Sequence, residues 1–148
     1  MTNGERAVLD HFLAELGRVI VNKAPVGEAK KKPLLLLLVL SLLRHGQLRE
    51  NKIRFQDIET RLGGLINDFG GRPTVSGAKP EQPFFHLRTS PFWELHIPGG
   101  TPKGNKKTLA KKVLAEPGAY ASLRSSLFVV LMQSSAACDE ATDVILKR

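Results

Sequence analysis

Apolar residues recur at helical spacings along much of the chain, and one run stands apart. From 34 to 43 the chain reads Leu-Leu-Leu-Leu-Leu-Val-Leu-Ser-Leu-Leu. Because this run is apolar on every side, it predicts a central helix wrapped by other elements. Pro33 suits the first turn of that helix, and His45-Gly46 suits its C-terminal cap. The run is shorter than the roughly 20 apolar residues that a membrane span needs.

Five further segments are predicted to be helical. The first has apolar residues at spacings of three and four, and the others combine shorter patterns of this kind with good helix formers. Glycine and proline pairs separate several of them. The predicted segments are 5–21, 56–69, 106–114, 120–132 and 139–148.

Strand signals are confined to three short stretches. The alternating segment 52–55 predicts one strand. The segments 83–88 and 92–97 predict a β-hairpin whose turn is 89–91. The predicted fold is therefore α+β and mostly α. We expect 1–148 to form a single helical domain with a winged-helix-like unit and a β-hairpin.

Charge and cysteine content narrow the classes of function. The chain of 148 residues has 22 Lys and Arg against 14 Asp and Glu, a net charge of +8. This excess favours a polyanionic partner, with nucleic acid ahead of an anionic membrane surface. Cys138 is the only cysteine, so an internal disulfide and a cysteine-cluster zinc site are excluded. With no signal-peptide pattern either, the expected location is the cytoplasm.

The sequence carries no pattern typical of a catalytic centre. It has no glycine fingerprint for a dinucleotide and no nucleophile motif. His86 and His96 fall on the two strands of the predicted hairpin, but two histidines make a poor metal site. We therefore expect a binding module without metal or cofactor rather than an enzyme.

Basic residues concentrate in the segments around the predicted hairpin and before the leucine run. If the fold gathers these segments, they form one cationic face that binds phosphates with salt-sensitive affinity. Gln82, Asn105 and His86 are candidates for reading a base edge. The candidate contacts to a DNA backbone are Lys30, Arg72, Lys79, Arg88, Lys103, Lys106, Lys107 and Lys111.

Four short motifs occur in a distinctive order: Lys-Pro-Leu-Leu-Leu-Leu from 32, Ile-Arg-Phe from 53, Gln-Pro-Phe-Phe-His-Leu from 82 and Phe-Trp-Glu-Leu from 92. Together they resemble the sulfur-binding domain of phosphorothioate-dependent HNH restriction endonucleases. The order and spacing match over about 25–135. The resemblance implies binding of double-stranded DNA in which sulfur replaces one non-bridging oxygen of a phosphate.

The resemblance also implies a shallow apolar pocket for the sulfur, ringed by basic groups. Sulfur is larger, more polarizable and less strongly hydrated than oxygen, so its burial against a proline ring costs less desolvation. The family often has His-Arg where this chain has Lys31-Lys32, and Tyr where it has Gln82. The implied pocket residues are Lys31, Lys32, Gln82, Pro83 and His86.

Members of this family usually carry a C-terminal HNH nuclease domain, and no such motif occurs in this chain. We therefore expect a recognition module that belongs to a restriction system, or partners one, and does not cut DNA by itself. Two alternatives stay open at this point. One is an ordinary basic winged-helix DNA-binding domain without sulfur preference, and the other is an adaptor for an acidic protein.

Overall fold

The leucine-rich run forms the central helix, α2 (Lys31–Arg44). Buried side chains cover most of the circumference of this helix, as the apolar pattern predicts, and only Ser41 and Arg44 within it are exposed. They are Leu34, Leu35, Leu36, Leu38, Val39, Leu40 and Leu43. The helix begins two residues before Pro33, so its first turn includes Lys31 and Lys32.

The computed structural model describes residues 1–20, 30–69, 78–100 and 111–147. These residues form seven α-helices, a 3₁₀ turn and two strands, so the predicted α+β, mostly α class is confirmed. Helix α2 follows α1 (Asn3–Ile20) in the chain. The elements after α2 are, in order, α3 (Phe55–Phe69), α4 (Glu81–His86), the 3₁₀ turn (Leu87–Thr89), β1 (Trp93–His96), α5 (Lys111–Leu114), β2 (Tyr120–Leu123), α6 (Ser125–Gln133) and α7 (Ser135–Leu146).

The other helices pack around α2, which contacts α1, α3, α4, α6 and α7. Aromatic rings connect these layers in edge-to-face pairs. The ring of Phe84 in α4 lies 5.3 Å from Phe55 and 5.6 Å from Trp93, centroid to centroid. Phe12 of α1 meets Phe92 at 5.0 Å. The core therefore fixes α4 against α2, α3 and β1.

The two strands are antiparallel neighbours, with Trp93 opposite Leu123 and His96 opposite Tyr120. Ile53 adds a single bridge to Ala121, with N···O distances of 2.7 and 2.8 Å. The predicted strand at 52–55 is thus reduced to this one bridge, because Phe55 already begins α3.

The predicted β-hairpin is wrong. The segment 83–88 is helical, in α4 and the 3₁₀ turn, and β1 pairs with β2 instead. The spacing of Phe84, Phe85 and Leu87 fits one face of a short helix as well as a strand. Six residues are too few to distinguish the helical period from the strand period. The predicted helix from 120 begins only at Ser125. The winged-helix-like arrangement is therefore not confirmed.

Two helices begin earlier than predicted, because side chains cap their N-termini. Thr2 and Glu5 form a reciprocal capping box with two 3.1 Å hydrogen bonds, so α1 begins before Glu5. The Ser134 hydroxyl accepts a hydrogen bond from the Ala137 N–H at 3.1 Å and starts α7 four residues earlier than predicted. The apolar pattern of the predicted helix 56–69 includes Phe69 on its buried face, but the structure leaves Phe69 exposed.

A partly buried ion pair ties α1 to the junction between β2 and α6. The Glu15 carboxylate accepts hydrogen bonds from both terminal nitrogens of Arg124, at 2.8 and 3.2 Å. The Glu15 side chain is 2% exposed. This bidentate geometry compensates a charge that would otherwise be costly to bury.

The contact between β1 and α4 generates a stability prediction. The indole N–H of Trp93 donates a buried 3.0 Å hydrogen bond to the Phe84 carbonyl. Trp93→Phe should lower the free energy of unfolding by about 1–3 kcal/mol, because the carbonyl loses a buried partner. Urea unfolding followed by circular dichroism measures this. Glu94→Gln, on the exposed face of the same strand, is the control, and an equal effect of both changes would contradict the prediction.

Candidate nucleic-acid interface

Lys31 is a buried lysine at the start of the central helix. Its side chain is about as enclosed as the core leucines, with 2% of the residue exposed. Its ammonium group donates a 2.9 Å hydrogen bond to the side-chain oxygen of Gln82, 51 residues away in α4. Burying an ammonium group is costly without polar partners. This contact therefore fixes the start of α4 beside the start of α2 and brings two predicted site residues together.

Pro83 lies next to Gln82 in the first turn of α4 and is buried. A proline is well tolerated at this position, since the first turn has N–H groups without helical partners. Its ring is packed within the structure rather than displayed as an open notch. Pro83 therefore lies immediately beside the Lys31–Gln82 contact, mostly covered by its surroundings.

His86, at the end of α4, lies in a positive electrostatic environment. Its pKa is lowered by partial burial and then by the positive charges of Lys32 and Arg88. Burial also lowers the pKa of Lys32. His86 therefore lies close enough to Lys32 and to Arg88 for their charges to disfavour the imidazolium. We call Lys31, Lys32, Gln82, His86 and Arg88 the cationic site.

Aromatic packing positions one member of this site. The Arg88 guanidinium carbon lies 4.1 Å from the centroid of the Phe85 ring. A guanidinium stacked on an aromatic face keeps its charge and its fork of donors while losing conformational freedom. Arg88, predicted as a contact to the DNA backbone, is therefore held in place by the core aromatic next to His86.

The helix dipole adds to the positive potential at this site. The first turn of α2 contains no acidic residue, and Lys30 precedes it without a side-chain cap. The N-terminus of a helix carries partial positive charge, so lysines there are unfavourable in isolation. An anion near this turn would be stabilised by both the lysines and the positive end of the helix dipole.

A cleft adjoins the cationic site on the side of α1. It has a volume of about 180 Å³. Sequence reasoning did not include Arg18 or the residues after the 3₁₀ turn among the site residues, because a lone arginine and a short turn give no signal of their own. The cleft, which we call the α1–α2 cleft, is lined by Glu15, Arg18, Val19, Lys32, Thr89, Ser90 and Pro91.

The remaining predicted backbone contacts are scattered. Lys30 and Lys79 are exposed near the starts of α2 and α4, and Lys79 has a positive φ of 41°. Lys111 forms an ion pair with Glu59 of α3, at 3.6 Å. The predicted contacts that lie outside the described residues are Arg72, Lys103, Lys106 and Lys107, together with the candidate base reader Asn105.

Other chemistry finds little support in the part of the chain that the structure describes. No group of three His, Cys, Asp or Glu side chains there is arranged to hold a metal ion. His86 and His96 lie on α4 and β1 rather than on paired strands, and His96 stacks on Tyr120 while it bonds to the Ser122 hydroxyl at 2.9 Å. No helix among these residues is long and apolar enough to span a bilayer.

Comparison with known proteins identifies the family. The family model described as the ScoMcrA-like DNA sulfur-binding domain matches residues 9–148. This chain belongs to that family. The match confirms the family inferred from the four sequence motifs. A search of curated proteins finds no match to this sulfur-binding domain.

A solved structure has the same fold. It is described as the sulfur-binding domain of SprMcrA complexed with phosphorothioated DNA. The two chains are 20% identical, the TM-score is 0.69, and the alignment covers 94% of this chain and 83% of the other. At this level of identity the likeness establishes a shared fold for this sulfur-binding domain.

The electrostatics of the cationic site lead to a second prediction. Lys32→Gln should raise the pKa of His86 toward its usual value, because the mutation removes one of the positive charges that lower it. The pKa should stay below 6.5, since burial is the larger cause. An NMR titration of the imidazole signals measures the change. Lys79→Gln is the matched control, and an equal pKa in wild type and Lys32→Gln would be inconsistent with the proximity described above.

Proposed function

We propose that this domain binds double-stranded DNA containing a phosphorothioate linkage, as a recognition module without catalytic activity. Membership of the DNA sulfur-binding family supports this, as does the shared fold with a relative solved in complex with phosphorothioated DNA. The observation that carries the proposal is the contact between Lys31 and Gln82. It joins two segments of the sequence motifs into one site beside His86.

We propose that the sulfur pocket is formed by the residues that the resemblance implies: Lys31, Lys32, Gln82, Pro83 and His86. The side-chain oxygen of Gln82 already accepts a hydrogen bond from Lys31. The amide N–H groups of Gln82 are then the groups oriented to donate to the DNA. Pro83 acts as the apolar wall behind Gln82, and Lys32 and His86 balance the charge of the thiophosphate.

The predicted backbone contacts have a different role in this proposal. Contacts to unmodified phosphates supply affinity and salt dependence but carry no information about sulfur. Arg88, stacked on Phe85, is the best positioned of them. The proposed backbone contacts are Lys30, Arg72, Lys79, Arg88, Lys103, Lys106, Lys107 and Lys111.

A recognition module of this kind would direct cleavage without performing it. We propose that it works in a modification-dependent restriction system, with an HNH nuclease domain in the same or another chain as its partner. The sulfur-binding family supports this assignment. In this proposal the HNH nuclease domain cleaves the DNA, and the residues of the cationic site only bind it.

Matched duplexes test the sulfur preference. A duplex with one Rp phosphorothioate should bind about tenfold to hundredfold more tightly than the same duplex without sulfur, since burying the less hydrated atom gains about 1–3 kcal/mol. Fluorescence anisotropy measures both dissociation constants. Gln82→Ala and His86→Ala should reduce the ratio between them, whereas Lys79→Ala should weaken both alike.

Two outcomes would change this assignment. Equal affinities of the wild-type domain for the two duplexes would leave an ordinary DNA-binding domain without sulfur preference. Failure to bind either duplex at low salt would favour an adaptor that recognises an acidic protein.

Binding should also depend on pH through His86. In the free domain the pKa of His86 is lowered, so the neutral imidazole is favoured at neutral pH. A bound thiophosphate favours the imidazolium and raises this pKa, so binding takes up a proton. The affinity should therefore increase as pH falls from about 8 to 5. His86→Gln should flatten the profile, and an unchanged profile in this variant would refute the role of His86.

A further inference from the structure

The α1–α2 cleft contains an arginine to which the proposed sulfur pocket assigns no role. Arg18 lies in the last turn of α1 and is exposed. Within the described residues it forms no ion pair with an acidic side chain. Arg18 lines the same cleft as the partly buried Lys32. No acidic partner of Arg18 or Lys32 occurs among the described residues, and two cations in one concave site favour an anionic ligand.

We propose that the α1–α2 cleft binds the phosphodiester that neighbours the sulfur-bearing linkage. Arg18 and Lys32 contact its charged oxygens, and the Ser90 hydroxyl donates a hydrogen bond to it. This inference rests on the proposed function, because it assigns the path of the same DNA strand beyond the sulfur pocket.

Lys32 links the proposed sulfur pocket to the α1–α2 cleft. It interacts electrostatically with His86 in the cationic site and also lines the cleft with Arg18. A strand with its sulfur beside Gln82 and His86 therefore reaches the cleft by passing Lys32. Lys32 is shared between two successive phosphate groups, whereas Arg18 meets only the second.

The cleft also contains a carboxylate, which would repel a phosphate if it were uncompensated. Glu15 lines the cleft, but both of its oxygens accept hydrogen bonds from Arg124. His11 approaches the same carboxylate, with its Nε2 at 3.7 Å from an oxygen. The Glu15–Arg124 pair is therefore close to neutral, and the charge of the cleft is set by Arg18 and Lys32. Arg124 is a positioning residue in this arrangement.

The turn on the opposite wall of the cleft is held in place by α4. The Thr89 hydroxyl donates a 3.0 Å hydrogen bond to the His86 carbonyl. The N–H of Ser90 donates to the Leu87 carbonyl at 2.8 Å. The Ser90 hydroxyl makes no hydrogen bond within the described part of the chain, so it is available to a ligand. These hydrogen bonds connect the wall of the cleft to the end of the helix that carries Gln82 and His86.

Arg18→Gln tests the cleft. The change should weaken binding to the phosphorothioate duplex and to its unmodified match by the same factor, about two- to fivefold. The slope of log affinity against log salt should fall by about one. Arg49→Gln removes the same charge from an exposed position beyond the C-terminal end of α2 and is the control. Circular dichroism confirms that both variants are folded.

Neutral linkages locate the contact. Two phosphorothioate duplexes are made, each with an uncharged methylphosphonate in place of the phosphate on one side of the sulfur. On one of the two, Arg18→Gln should bind as well as wild type, since the charge it contacts is already absent. An effect of Arg18→Gln that persists on both duplexes would overturn the inference, as would an affinity equal to that of Arg49→Gln.

The two proposals fail in distinguishable ways. If wild type discriminates the phosphorothioate duplex but Arg18→Gln behaves as the control, the assignment of the cleft is wrong and the sulfur site stands. If wild type shows no preference for sulfur, the proposed function fails, and the cleft loses the ligand assigned to it.

Discussion

The hydrogen bond from buried Lys31 to Gln82 is the constraint on which the arrangement of the site depends. The helix that carries Lys31 is buried over most of its surface, with Ser41 and Arg44 exposed near its C-terminal end, and the other helices enclose it up to its first turn. Enclosing the first turn also encloses an ammonium group, and a buried charge is tolerated only with polar partners. The start of α4 supplies one. Because α4 is fixed there, His86 at its end and Arg88 in the turn after it also lie near the start of α2.

This arrangement leaves an electrostatic imbalance in the free domain. The lowered pKa values of His86 and Lys32 both report the cost of holding positive groups in a partly desolvated region. The dipole of α2 adds to that cost, because its first turn carries lysines and no acidic residue. A bound anion would offset the unfavourable electrostatics of His86, of Lys32 and of the α2 dipole together. Since the groups are already in place, little reorganisation would oppose binding.

The elements that the sequence predicted correctly are those with long patterns. The leucine run and the amphipathic stretches of α1 and α3 extend over several turns, so their period is unambiguous. The four residues of β2 and the six of α4 are too short for that, and both were predicted wrongly. The burial of Lys31 was not predicted, because it depends on a partner 51 residues away. Arg18 gave no local signal, since only tertiary packing brings it beside Lys32.

In the proposed complex, affinity and sulfur preference come from different groups. A phosphate diester and its phosphorothioate analogue carry the same net charge, so exposed cations attract both and salt screens that attraction. Preference must arise where the non-bridging atom loses its water, because there the weaker hydration of sulfur lowers the cost of binding. Enclosed Lys31 and buried Pro83 mark that place, whereas Arg18 and Lys79 lie in solvent. In this proposal the buried lysine contributes charge at the place where the ligand must shed water, which an exposed lysine does not.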